Sequence, residues 1–330
     1  MRVAVLGAGS WGTALAVHLA RIGHEVALWD RNPDRCAVMN TTRRNPRYLT
    51  EIVLPPGLVA VDDLARAVHA ADLVVPVVPS HGLGDVLAAA APSLPAGVPV
   101  CVATKGIEEE RLETMYELSS RVLGGTGQVS MLYGPSFALE VARGQPTAVV
   151  VAGQEAPAHA AAAAFHGDSF RAYHTEDVAG VCIGGSLKNV MAIATGVCDG
   201  LGLGNNARAA IITRGLAEIT RLAVARGANP LTMMGLAGLG DLVLTCTGAL
   251  SRNRRVGLAL GQGKALDDIL AEIGEVAEGV STARSARQLG QRIGVEMPIT
   301  EQVHALLFEG KPVTLALRDL LARERRAERD

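Results

Sequence analysis

Arg2-Val3-Ala4-Val5-Leu6-Gly7-Ala8-Gly9-Ser10-Trp11-Gly12 is an apolar run that breaks into a GxGxxG turn and opens a helical pattern through Arg21. A strand before the glycines and a helix after them is the context in which this motif carries meaning. Gly7 permits a tight turn, Gly9 a close backbone approach to a pyrophosphate, and Gly12 close packing of helix on strand. The helix N-terminus then presents free N–H groups to the anion. The next strand, Glu25-Val26-Ala27-Leu28-Trp29-Asp30, ends in an acid 18 residues past Gly12, where a ribose-binding carboxylate is expected. Together these features predict a dinucleotide-binding unit at the start of the chain.

Strand and helix patterns alternate outward from this stretch. Strands are predicted over 2–6, 25–30, 58–61, 72–78, 100–103, 128–132, 147–152 and 170–174, with helices over 62–70 and 108–123 and an Ala-rich helix former at 158–164. Pro76 contradicts its strand, because proline removes a ladder donor. His81, in the turn Pro79-Ser80-His81-Gly82, has no carboxylate beside it and reads as structural. Beyond residue 178 the β-like runs stop, and helical patterns cover 178–197, 206–226, 231–235, 252–260, 266–273, 282–293, 301–308 and 314–326. The expected fold is α/β: a Rossmann-type doubly wound sheet of seven or eight strands over residues 1–177, then a largely α-helical unit over 178–330. The charged tail 323–330 reads as a solvated helix end.

Composition narrows the function. The 330 residues hold 31 basic and 33 acidic side chains, a net charge of −2, so no basic field exists for nucleic acid. Aromatics, at 3%, are too few to stack bases along a strand. The expected ligands are therefore small. Cys36, Cys101, Cys182, Cys198 and Cys246 are odd in number and never spaced CxxC, which argues against disulfides and zinc and for a reducing compartment. No metal centre is expected. The first strand begins at Arg2, and no apolar run reaches membrane-spanning length without charge or Gly/Pro interruption. The expected location is the cytoplasm, with no integral membrane segment.

Several polar residues stand in places where packing does not call for them. Lys188 lies in Gly184-Gly185-Ser186-Leu187-Lys188-Asn189-Val190-Met191-Ala192-Ile193-Ala194-Thr195-Gly196, a small-residue helix whose Val190, Ile193, Ala194 and Val197 fall on one face. A lone lysine there commonly snorkels to water, so its role depends on its partners. Lys105 follows the predicted strand 100–103 and Gly134-Pro135-Ser136 follows 128–132, at carboxyl ends where open α/β sheets bind ligands. Asp241 and Thr245 are four apart, on one helix face; Asp241 equally suits a helix N-terminal carboxylate. Ser251-Arg252-Asn253-Arg254-Arg255 puts three guanidiniums in four residues and suits a phosphate clamp or a solvated basic face. Asp30 favours the free ribose of NAD, whereas the adjacent Arg31 suits the 2′-phosphate of NADP, so the cofactor is expected to be NADP or NAD.

These segments resemble bacterial NAD(P)-dependent glycerol-3-phosphate dehydrogenases. The matching stretches are residues 7–16, 103–108, 134–138, 187–190, 200–207, 213–218, 235–241 and 251–255, in family order along nearly the whole chain. The resemblance implies reversible hydride transfer between nicotinamide C4 and C2 of dihydroxyacetone phosphate, giving sn-glycerol 3-phosphate for glycerophospholipid synthesis. It implies that Lys188 is the proton donor and acceptor. Contacts with the cofactor would come from Ser10, Trp11, Arg31, Tyr48, Lys105, Ala138, Arg252, Val276 and Glu278. Contacts with the substrate would come from Lys105, Gly134, Ser136, Lys188, Asp241, Ser251, Arg252 and Asn253, with Asn189 and Thr245 supporting them. The resemblance is compatible with a homodimer. No physical pattern in the sequence picks out Tyr48, Val276 or Glu278.

The implied chemistry is coherent. Charge that develops on the ketone oxygen needs a positioned acid, and a lysine, with a reference pKa near 10.4, needs burial or neighbouring cations to release a proton near neutrality. Two rival readings remain: a two-domain dehydrogenase of the same architecture acting on a hydroxy acid such as 6-phosphogluconate, and a cofactor-sensing regulator without turnover.

Overall fold

The computed structural model describes residues 1–322, so the predicted charged helix end at 323–330 lies outside the described residues. Eight strands form one sheet: β1 (Arg2–Leu6), β2 (Glu25–Trp29), β3 (Leu58–Val61), β4 (Leu73–Pro76), β5 (Val100–Val102), β6 (Val129–Tyr133), β7 (Thr147–Gly153) and β8 (Phe170–Thr175). Their order is β3-β2-β1-β4-β5-β6-β7-β8. Neighbours run parallel except β6 and β7. Residues 3–6 of β1 and all of β6 are buried, as befits strands covered on both faces. Strand order reverses on either side of β1, which opens a crevice beyond its carboxyl end, between β1 and β4.

Helices α1 (Ser10–Arg21), α2 (Pro33–Thr42), α3 (Leu64–Val68), α4 (Leu83–Ala90), α5 (Met115–Val122), α6 (Ala138–Ala142) and α7 (Glu155–Phe165) connect the strands. Gly7, at the tip of the first turn, has φ +121°, a conformation few L side chains adopt. A Cβ on Gly12 would overlap the Gly7 carbonyl oxygen, so α1 starts this close to β1 only without one.

Two local expectations are corrected. The helix predicted over 108–123 begins only at Met115. The Glu108 carboxylate accepts the N–H groups of Glu110 (2.9 Å) and Arg111 (2.7 Å), closing a turn in place of a helical one. Thr114 and Glu117 then form a capping box that sets the true start of α5. Pro76 does lie in a central strand. The N–H of Val74 donates toward β5 (Pro99 O, 3.0 Å) and that of Val77 toward β1 (Leu6 O, 2.8 Å), so alternation turns the Pro76 nitrogen toward β5. The β4–β5 register is correspondingly reduced to the single pair Val74↔Val100, while the Pro76 carbonyl still accepts the Ala103 N–H at 2.9 Å.

The remaining helices are α8 (Val178–Gly200), α9 (Gly204–Ala225), α10 (Asp241–Thr247), α11 (Arg252–Gly261), α12 (Leu266–Ile273), α13 (Glu278–Ile293), α14 (Pro298–Phe308) and α15 (Val313–Leu321). Short turns at Pro230–Met234 and Leu236–Gly240 lead into α10. By length and composition α8 is apolar enough to cross a membrane, but 94% of its apolar window is buried inside the protein. It is the core helix, packed by α9, α10, α11, α13 and α14.

Helices α8 and α11 meet backbone to backbone. A Cβ at Gly196 would overlap the Arg254 carbonyl oxygen, one at Gly200 that of Leu258, and one at Gly257 that of Ile193. Gly257→Ala must therefore push the helices apart, and overpacking of this kind costs about 1–3 kcal/mol. The expected result is a fall in Tm of roughly 2–12 °C at about 2–4 °C per kcal/mol. A melting curve matching wild type would show that the two helices separate freely.

Candidate active site

Lys188 sits nearly three turns into α8 and is 7% exposed. Its ammonium donates to Asp241 Oδ1 and, at 3.0 Å, to Thr245 Oγ1. Asp241 opens α10 and Thr245 follows one turn later on the same face, so one short helix presents both partners. The other Asp241 oxygen accepts from Lys105 Nζ at 2.9 Å. Lys105 arrives from the carboxyl end of β5, its ammonium 5.3 Å from the centre of the Tyr133 ring, and Tyr133 OH donates to Thr104 O at 2.9 Å. A fully buried carboxylate thus holds two ammoniums from two different layers of the fold. With both lysines charged the cluster carries one positive charge in excess, which suits an anionic guest.

Burial pushes the Lys188 pKa down to about 7, assisted by Lys105 and opposed by Asp241. Burial by itself raises the Asp241 carboxyl, but Lys105 and Lys188 outweigh it and hold Asp241 below the usual carboxylate range. A neutral or singly protonated lysine against a firmly ionised aspartate is an arrangement for moving one proton near neutral pH.

Gly134 and Ser136 lie at the carboxyl end of β6. Gly134 has φ +130°, and Ser136 Oγ donates back to its carbonyl at 3.0 Å. Ser251 caps α11 by accepting the Arg254 N–H at 3.2 Å. Asn253 is buried and its Oδ1 accepts the Gly279 N–H at 3.0 Å. Asn189, beside Lys188, is buried too.

The clamp expected from three guanidiniums narrows to one. Arg254 turns to Asp199 (Nε to Oδ2, 2.8 Å), which also takes Arg208 (2.8 Å), and Arg255 is exposed. Arg252 points instead to Glu275 (Nη1 to Oε2, 2.9 Å), and Ser10 Oγ donates to the same oxygen at 3.3 Å.

The nucleotide side bears the marks of an anion site. Helix α1 has Gly9 at its cap, no side-chain cap and no acid in its first turn, so its leading N–H groups are left for a ligand. Among the described residues the buried Trp11 Nε1 has no hydrogen-bond partner. These residues fit a dinucleotide. Asp30 is buried, its Oδ1 accepting the Asn32 N–H (2.9 Å) and its Oδ2 pairing with Arg35 (2.6 Å). Arg31 is exposed, and the Tyr48 ring lies 6.0 Å from the Arg35 guanidinium and 5.3 Å from that of Arg47. Ala138 starts α6, Val276 is largely exposed, and Glu278, opening α13, accepts from Ser80 N (3.1 Å) and Ser80 Oγ (2.6 Å). Glu275, Ser80 and Asp199 escaped the sequence reading. In Glu275 the available signal was two acids three apart after Gly274, which on its own suggests only a polar turn.

Family models for the NAD-dependent glycerol-3-phosphate dehydrogenase N-terminus and C-terminus match residues 2–159 and 177–318. The chain belongs to that family. It is an oxidoreductase of the NAD(P)-dependent class, and the hydroxy-acid and non-enzymatic readings fall away. The glycerol-3-phosphate dehydrogenase (NAD(P)+) of Anaeromyxobacter dehalogenans strain 2CP-C is 52% identical over 331 residues, covering 99% of this chain and 100% of the relative. That of Stenotrophomonas maltophilia strain R551-3 is 51% identical over 328 residues, covering 99% and 96%. The crystal structure of glycerol-3-phosphate dehydrogenase from Coxiella burnetii superposes with a TM-score of 0.93 at 42% identity, covering 98% of this chain and 99% of that one. The glycerol-3-phosphate dehydrogenase family thus accounts for the sheet and the helical unit together.

Proposed function

We propose that the protein interconverts dihydroxyacetone phosphate and sn-glycerol 3-phosphate, with Lys188 moving the proton at the C2 oxygen. The observation that carries this reading is the buried Lys105–Asp241–Lys188 bridge. When bound, NADPH or NADH would supply the hydride to C2, and NADP or NAD would accept it in the reverse direction. In reduction the Lys188 ammonium gives its proton to the developing alkoxide; in oxidation the neutral amine takes it back. Asp241 and Thr245 aim the amine, and Asn189 packs beside it. Lys105 adds a second positive charge facing the negative charge that develops.

Arg252 and Asn253 hold the substrate phosphate, with Ser251 fixing the start of α11 and Gly134 and Ser136 closing the far wall. Anchoring a group that does not react holds C2 in place, which converts binding energy into rate. On the nucleotide side Gly7, Gly9, Ser10, Trp11 and Gly12 take the pyrophosphate. Arg31 and Tyr48 take the adenosine end, and Lys105, Ala138, Arg252, Val276 and Glu278 take the remainder. Sequestration of Asp30 by Arg35 supports tolerance of a 2′-phosphate, because the acid that would repel it is already neutralised. We place the reaction in the cytoplasm, supported by five buried free cysteines, at the supply of glycerophospholipid precursors. A homodimer is supported by the exposed apolar run Leu231, Met234, Leu239 and Val243.

The test is NADPH oxidation with dihydroxyacetone phosphate set against keto acids that lack a phosphate. Only the first is expected to turn over. In the same assay Arg252→Ala is expected to raise the substrate KM by about 10- to 100-fold, the worth of about one charge-assisted hydrogen bond. An unchanged KM would move the phosphate elsewhere.

A further inference from the structure

The segment 274–278 touches the nucleotide-binding half at three places. Arg47 Nη2 donates to Gly274 O at 3.5 Å, Ser10 Oγ to Glu275 Oε2 at 3.3 Å, and Ser80 Oγ to Glu278 Oε2 at 2.6 Å. Of these, Glu275 is the one whose partners have another use. Its Oε2 takes donors from Ser10, the first residue of α1, and from Arg252, the clamp guanidinium, at the same time. One donor belongs to the pyrophosphate site and the other to the substrate phosphate site, so a single carboxylate oxygen stands between two places meant for phosphate oxygens.

We propose that Glu275 is a built-in anion that occupies Arg252 until the dinucleotide displaces it, so that substrate phosphate binds more tightly once the cofactor is in place. This rests on the assignment of α1 and Arg252 as the two phosphate sites. A pyrophosphate at the α1 N-terminus takes over the Ser10 donor and places like charge beside Glu275. The carboxylate then loses one of its two partners and gains a repulsion, and its hold on Arg252 weakens. The pair is built to open: the Arg252 and Glu275 side chains are 41% and 34% exposed, and ion pairs at such positions are weak. Because coupling between two ligands is reciprocal, the substrate phosphate tightens cofactor binding by the same factor.

The effect is read without turnover by calorimetric titration of the full-length protein with sn-glycerol 3-phosphate, alone and with saturating NADPH, since both ligands are already reduced. In wild type NADPH is expected to tighten sn-glycerol 3-phosphate about two- to fivefold, the range set by a part-exposed ion pair. Glu275→Gln, which keeps the shape but not the charge, is expected to bind sn-glycerol 3-phosphate two- to fivefold more tightly without cofactor and to lose most of the NADPH dependence. Glu275→Ala is expected to behave alike. Variants that bind sn-glycerol 3-phosphate no more tightly than wild type, or that keep the full NADPH dependence, overturn the proposal. Arg252→Ala separates the two levels of the argument. If it leaves sn-glycerol 3-phosphate binding intact, the phosphate assignment itself fails. If it weakens binding while Glu275→Gln does not strengthen it, only the role of Glu275 falls.

Discussion

Lys188→Ala is expected to lower kcat in both directions by about 10²- to 10⁴-fold, the usual contribution of a positioned acid–base group, while NADPH binding stays intact. The pH profile adds a sign to this loss. With its pKa brought down to about 7, chiefly by burial, Lys188 changes charge within the working range. Oxidation of sn-glycerol 3-phosphate needs the neutral amine, so its kcat/KM is expected to rise through about pH 7; reduction needs the ammonium, and its kcat/KM is expected to fall there. In Lys188→Ala both limbs should disappear. Stability follows the same group. Between about 7 and the ordinary lysine value of 10.5 the unfolded chain keeps a proton that the folded chain has released, so this contribution to stability rises with pH across that window and is smallest below it. Near-normal turnover by Lys188→Ala, or limbs that persist without the lysine, would remove Lys188 from the proton path.

Asp241→Asn is the second large effect, because it leaves two lysines sharing a buried site without their counter-charge. Removing one partner of a buried ion pair costs about 3–5 kcal/mol. The expected fall in Tm is roughly 6–20 °C at 2–4 °C per kcal/mol. Asp241 also raises the Lys188 pKa against the pull of burial and Lys105, so its loss is expected to drive that pKa lower still. The rising limb of the oxidation profile should therefore move to more acid pH in whatever enzyme remains folded. Thermal melts and the two pH profiles check both consequences. A variant with wild-type Tm and an unmoved limb would show that the carboxylate neither holds nor tunes the lysines.

Much of the fold was legible because it is written in local periodicity. The eight strands fall where apolar runs of four to seven residues end in turn-forming residues, and α8 falls where spacing becomes helical. Lys188, Asp241 and Thr245 were legible as a group through position: one on a helix that had no packing need for a cation, two on a single face four apart. What stayed hidden was decided by side chains that meet only in the folded chain. Asp30 reads as the acid at a strand end, and nothing at its own position shows that Arg35 turns back onto it. Arg254 looked like a clamp residue until Asp199, 55 positions away, claimed it. The helix predicted over 108–123 failed for a local reason that the residues did contain. Glu108 caps its own turn, and the Thr114–Glu117 box marks a later start. Helix α2 was not foreseen, although Asn32 and Pro33 form a cap followed by a proline at the first helical position.

The glycine contacts between α8 and α11 make the site a fixed caliper. One jaw is the ammonium of Lys188, the other the Arg252–Asn253 end of α11, and the hinge that would let them spread is missing because the two backbones touch at Gly196 and Gly257. A caliper of set opening measures length. With the phosphate at Arg252 and Asn253 as proposed, it would take a molecule whose carbonyl and phosphate are one carbon apart and leave a homologue with a longer arm unable to reach both jaws. Small residues far from any ligand thereby take part in choosing it.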